Sequence, residues 1–188
     1  MQIERLIIPE VLLITPGRFT DARGFVSETF KRSRLAEAGI SLDFVQDNDS
    51  FSRERGTIRG LHAQYGPSVQ GKLVRVVKGA VWDVAVDARH GSPTFGRHVG
   101  AELTAENGRH LWIPPGFLHG FCTLAPDTLA IYKMTAEYDP ARECGVLWID
   151  SDLAIPWPVD PARVVLSEKD RTRPRLAECP AWFTYSPP

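Results

Sequence analysis

Lys72-Leu73-Val74-Arg75-Val76-Val77-Lys78-Gly79-Ala80-Val81-Trp82-Asp83-Val84-Ala85-Val86-Asp87 joins two valine-rich runs through a short link containing one glycine. A branched Cβ restricts χ1 and packs well on a pleated surface, so both runs favour strand. The short glycine link between them predicts an antiparallel hairpin. Strand side chains alternate between faces. Asp83 and Asp87 therefore share a face with Val81 and Ala85, while Trp82, Val84 and Val86 line the other.

The same pattern recurs along the chain. Residues 11–14, 25–30, 57–61, 98–103, 110–113, 120–123, 128–133 and 146–148 are further strand candidates. Residues 31–38 form the one clear helix candidate, with Leu35 and Ala38 on one side and Gly39 as a stop. Many short strands punctuated by Gly and Pro predict an all-β sandwich or small barrel, one domain over residues 1–188. From about Asp150 the chain turns rich in proline and charge, and reads as an irregular extension packed on the same core.

Composition narrows the partners. A formal net charge of -1 gives no field that would draw nucleic acid or an anionic membrane, so neither is expected. An anionic ligand must then be held by a local cluster of cations. Met1-Gln2-Ile3-Glu4-Arg5 does not open a secretory signal, and no run approaches the roughly 18 apolar residues of a membrane helix. Cys122, Cys144 and Cys179 are widely spaced with no CxxC pair. They argue against a disulfide framework or structural zinc and fit a reducing cytoplasm.

Polar residues with chemical potential gather at few places. Phe44-Val45-Gln46-Asp47-Asn48-Asp49-Ser50 is one, and Arg59, His62 and Gln64 form the next. Strict strand alternation separates Arg59 from His62, so a shared site needs a bulge or strand end, for which Gly60 is suited. Pro114-Pro115-Gly116-Phe117-Leu118-His119 supplies a second histidine after a tight turn. Its spacing resembles the second cupin motif. The first cupin motif wants His-x-His and a following Glu, but Gln64 stands at the second His and no Glu follows. Two imidazoles without a carboxylate make a poor zinc or iron site, so no metal and no cofactor are expected. Taken singly, Tyr132 reads as a core aromatic, and Asp170, Lys72 and Lys169 as solvated charges.

Together the segments say more. Asp21-Ala22-Arg23-Gly24-Phe25, Gln46-Asp47-Asn48, Arg59-Gly60-Leu61-His62 and Gly71-Lys72-Leu73-Val74 occur in order. Gly79 to Asp87, Trp112 to Phe121, Tyr132-Lys133 and Leu166-Ser167-Glu168-Lys169-Asp170 follow them. This series resembles the dTDP-4-dehydrorhamnose 3,5-epimerase family, enzymes with a cupin-type double-stranded β-helix, or jelly roll. The resemblance implies His62 as general base, Asp170 as its carboxylate partner, Tyr132 as the acid on the opposite face of the sugar, and Lys72 near the keto oxygen. It implies Arg59, His119, Glu143 and Lys169 around the substrate, and Arg23, Gln46 and Asn48 on the nucleotide. It further implies a homodimer in which an exchanged N-terminal strand brings Phe25 and Glu28 to the neighbour's site. Two positions depart from the family's usual pattern: Ala63 stands where Tyr is usual, and Ile149 where Asn is usual.

The implied chemistry suits these residues. The C3 and C5 hydrogens of a 4-keto-6-deoxyhexose lie alpha to a carbonyl, and losing one leaves an enolate. A base on one face, an acid on the other and a cation at the oxygen are then needed. No redox step occurs, and the chain has no GxGxxG. A mono-epimerase of the same family, a metal-dependent cupin enzyme and a non-catalytic sugar-nucleotide binding module remain as alternatives.

Overall fold

The computed structural model describes residues 1–187 and is built almost wholly of strands. In chain order these are β1 (Gln2–Arg5), β2 (Leu12–Thr15), β3 (Arg18–Asp21), β4 (Gly24–Ser27), β5 (Gln46–Ser52) and β6 (Ile58–Gln64). Then come β7 (Lys72–Lys78), β8 (Ala80–Asp87), β9 (Arg89–His90), β10 (His98–Thr104) and β11 (His110–Ile113). The series ends with β12 (Phe117–Thr123), β13 (Thr128–Met134), β14 (Glu143–Gly145) and β15 (Phe183–Thr184). Two short helices interrupt it, α1 (Arg32–Glu37) and α2 (Glu168–Arg171). Neither is long and apolar enough to cross a membrane.

A six-stranded sheet in the order β1-β2-β11-β7-β13-β5 faces a five-stranded sheet in the order β10-β8-β12-β6-β14. The expected jelly-roll sandwich is therefore present. Val74 and Val76 of β7, Leu111 of β11 and Ala130 of β13 meet Val81, Ala85, Leu103 and Phe121 of the other sheet in one buried cluster. The alternation expected for β8 holds: Val84 and Val86 turn outward onto Leu118, Leu153 and Leu176 of a second cluster. The extension after Asp150 covers that outer face, and Asp150 anchors it by accepting from the Leu176 amide at 2.8 Å. Helix α1 covers the other outer face, with Leu35 against Leu12, Ile14 and Trp112.

The predicted hairpin is corrected. β7 pairs with β11 and β13, and β8 with β10 and β12, so the two runs lie in different sheets. Only Gly79 separates them, less than the two-residue loop a hairpin needs. It turns the chain through a corner at φ +77, where a Cβ would stand 2.3 Å from Thr128 Oγ1. Residues 146–148 are not strand either. The pairing lies earlier, in β14 against β6. Strand β4 ends at Ser27, short of the expected residue 30. Strand β5 went unpredicted because Gln46-Asp47-Asn48-Asp49-Ser50-Phe51-Ser52 has no β-branched residue; it joins as the edge strand of β13.

Candidate active site

His62 owes its direction to an irregularity. Opposite β12, His119 pairs with His62 and Phe121 with Arg59, which leaves β6 one residue longer than its partner. Gly60 absorbs the bulge at φ +122, and a Cβ there would stand 2.5 Å from Gly120 Cα. Arg59 and His62 thus reach one cavity despite their odd spacing.

That cavity measures about 440 Å³, and Arg59, His62, Lys72, His119, Tyr132 and Asp170 are among its walls, with Glu143 and Lys169. A second cavity of about 350 Å³ carries Gln46, Asn48 and Tyr138 and shares His62, Lys72, Tyr132 and Glu143 with the first. Ten of the thirteen residues expected at the site therefore line one continuous cleft. His62 comes from the five-stranded sheet and Tyr132 from the six-stranded one, so the two stand on opposing sheets.

Arg23, Phe25 and Glu28 are not brought there. Arg23 and Phe25 project from the exposed β3–β4 hairpin, Arg23 bound to Asp21 at 2.5 Å and Phe25 under the Arg18 guanidinium. Glu28 pairs with Lys31 at 3.4 Å in the segment that follows.

Desolvation dominates the electrostatics. It lowers His62 well below 6.5, aided by Lys72 and His119 and opposed by Glu143, so the ring is a neutral imidazole at pH 7. It lowers Lys72 to about 8 against the pull of Asp83 and Glu143. It raises the Tyr132 phenol, against Arg59, and so keeps it protonated. Asp170 is buried on α2, its amide capped by the Ser167 hydroxyl at 3.1 Å. Among the described residues neither its carboxylate nor the His62 ring makes a hydrogen bond.

Gln64 is a brace. Its Nε2 donates to the Ser68 and Glu137 carbonyls at 2.9 and 3.0 Å, and its Oε1 accepts from the Asp139 amide at 2.7 Å. His119 Nε2 is bonded to Asp83 Oδ1 at 2.9 Å. With these donors engaged, the set does not fit a metal ion. Ala63 lines the second cavity, whereas Ile149 is exposed away from both.

Three residues of the site were not anticipated: Asp83, Tyr138 and Arg173. Asp83 left a signal, a carboxylate in mid-strand on the face it shares with Val81 and Ala85. Arg173 and Tyr138 left none: Arg173 meets Glu143 from 30 residues further along the chain, and Tyr138 meets it from the loop just before β14.

Comparison with known proteins bears on this cleft. The family model described as dTDP-4-dehydrorhamnose 3,5-epimerase matches residues 5–178. The dTDP-4-dehydrorhamnose 3,5-epimerase of Sinorhizobium fredii is 49% identical over 98% of this chain and 94% of its own. The crystal structure of the dTDP-6-deoxy-D-glucose-3,5-epimerase of Legionella pneumophila Philadelphia 1, in complex with dTDP-4-keto-L-rhamnose, superposes with a TM-score of 0.94. It is 44% identical and covers 99% of both chains. A 3'-monoepimerase from Streptomyces bikiniensis, in complex with dTDP-quinovose, is 35% identical with a TM-score of 0.84, covering 92% of this chain and 86% of its own. A cleft with an imidazole and a phenol on opposing sheets and a buried ammonium beside them is thus set in a chain that belongs to the dTDP-4-dehydrorhamnose 3,5-epimerase family of isomerases.

Proposed function

We propose that the chain inverts C3 and C5 of dTDP-4-keto-6-deoxy-D-glucose to give dTDP-4-keto-L-rhamnose, a step of dTDP-L-rhamnose biosynthesis, through His62 and Tyr132. The observation that carries this reading is their placement on opposing sheets across one cavity. Neutral His62 takes the proton alpha to the C4 ketone, and the electron pair moves onto the carbonyl oxygen as an enolate. The Lys72 ammonium stabilises that oxygen, a role worth ~3 kcal/mol where water is excluded. Tyr132 then protonates the carbon from the other face, and solvent returns both groups to their starting states. Asp170, on the wall of the same cavity, is the carboxylate that stabilises imidazolium as it forms. Gln46 and Asn48 hold the nucleotide in the second cavity. Arg59 serves the diphosphate.

The remaining expected residues require a second subunit. Phe19, Phe25 and Val26 stand 71%, 57% and 71% exposed on the β3–β4 hairpin, an apolar surface that a homodimer would cover. Exchange of the N-terminal segment would carry Arg23, Phe25 and Glu28 to the neighbour's nucleotide. The free thiols of Cys122, Cys144 and Cys179 fit a cytoplasmic enzyme.

Incubation with dTDP-4-keto-6-deoxyglucose in deuterated water, read by NMR, tests the reading. The wild type incorporates deuterium at both C3 and C5, and His62→Ala at neither. Tyr132→Phe retains exchange while losing most inverted product. Near-normal exchange in His62→Ala would refute the mechanism, and label at one carbon alone would mark a mono-epimerase.

A further inference from the structure

We propose that Arg75 and His110 form a binding site for a small oxyanion such as inorganic phosphate, on the outer face of the six-stranded sheet and apart from the cleft. A cavity of about 90 Å³ lies there, walled by Arg75, His110, Asp47, Lys133, Thr29 and Phe30 among others. None of these six lines either cavity of the cleft. The pleat accounts for the separation. Val74 and Val76 of β7 enter the sandwich core, so Arg75 between them points outward. Tyr132 of β13 faces the cleft, and its neighbour Lys133 faces the opposite way.

The charges around this cavity do not balance. Lys133 Nζ donates to both carboxylate oxygens of Asp47 at 3.0 Å, so that pair is complete. Arg75 is half-buried, yet among the described residues it makes neither an ion pair nor a hydrogen bond. Register explains why. His110 stands opposite it on β11 and Ile131 on β13. The next row along the same strands is Trp112, Leu73 and Lys133, which brings no acid either. Asp49 lies one strand further out, opposite Ile131, and is exposed. A guanidinium stays protonated at every working pH, and a desolvated charge without a partner is costly. A bound anion supplies the partner that the fold withholds.

Size and donors select the ligand. The cavity holds roughly three times a water's ~30 Å³ share of the liquid, room for a tetrahedral oxyanion and too little for a nucleoside. The forked N–H groups of an arginine match two oxygens of such an ion. His110 is 2% exposed, and desolvation with the charge of Arg75 lowers it to about 4. Its ring is therefore neutral at pH 7 and has one N–H to give. Thr29 and Phe30 belong to the segment that leads from the β3–β4 hairpin to α1, so an anion here would tie that segment to the sheet.

Thermal unfolding of the full-length protein in phosphate-free buffer, with dTDP saturating the cleft, tests the site. Inorganic phosphate should raise Tm by ~4 °C once it reaches about ten times its Kd, beyond any effect of chloride at equal ionic strength. Arg75→Gln should abolish the rise, and Arg75→Lys should keep part of it. No rise, or a rise retained in Arg75→Gln, would overturn the proposal. A rise seen only without dTDP would place the phosphate in the cleft and overturn it as well. So would a homodimer loosened by Arg75→Gln in a protein indifferent to phosphate, which would assign Arg75 to a carboxylate of the second copy. Where Arg75→Gln does not fold, wild-type crystals soaked in selenate decide. An anomalous selenium peak within hydrogen-bonding reach of the Arg75 guanidinium upholds the site; a peak confined to the cleft, or none, rejects it.

Discussion

Burial lowers the Lys72 ammonium to about 8, and no hydrogen bond from the described residues holds its proton. His62 is displaced in the same direction, well below 6.5. The two shifts act oppositely on catalysis. The base must be neutral, so lowering His62 extends activity toward acid. Lys72 must be charged, so lowering it cuts activity off toward base. We expect kcat/KM to stay flat from about pH 6.5 and to fall as pH rises through about 8. Tyr132, raised above 10 by burial, titrates too high to cause that fall. Replacing Lys72 with Arg, whose guanidinium does not deprotonate, should move the basic limb well above 8 at a reduced plateau. An unmoved limb would show that another group titrates there. At this scale the site was legible only through company: taken singly, Tyr132 reads as a core aromatic, and Lys72 and Asp170 as solvated charges. Which atom meets which was not legible. Asp83 meets His119 across two strands, and that contact depends on registers the sequence does not state.

Gly60 shows how an element imposes chemistry. The spacing of Arg59 and His62 already demanded a bulge, and the register shift opposite β12 supplies it. An alanine there would need φ +122 and would drive its methyl into Gly120 Cα and the His119 carbonyl, 2.5 and 2.6 Å away. Gly60→Ala should cost ~2 kcal/mol or more in urea unfolding and reduce C3 and C5 exchange more than any loss of folded protein explains. Unchanged exchange in the folded variant would show that the bulge does not aim His62. The valine-rich runs 72–77 and 81–87 carried strand propensity but not pairing. Both are central strands with partners on each side, so local pattern named the elements and left the sheets open.

At the scale of the whole molecule, the sandwich was legible from strand count and punctuation. The packing of its polar residues was not, because burial follows from layers that close only after pairing. His110 illustrates this. It lies 2% exposed under the segment leading to α1, with Nδ1 unpartnered among the described residues. Burial, helped by Arg75, lowers it to about 4. Its folded pKa lies below the unfolded value of 6.5, so the unfolded chain gains protons first on acidification and stability falls between pH 6.5 and about 4. His62, shifted the same way, adds to the loss. Glu143 does not enter this window, because its contribution is lost only as pH falls from 4.5 toward about 2. Urea unfolding at fixed protein concentration should therefore show stability dropping from pH 7 to 4.5. His110→Phe, which fills the site without a titrating ring, should recover ~2–3 kcal/mol of that drop. It should change stability little at pH 7, where the buried imidazole is already neutral. Equal pH slopes in the two proteins would place the acid sensitivity elsewhere, with His62 as the next residue to replace.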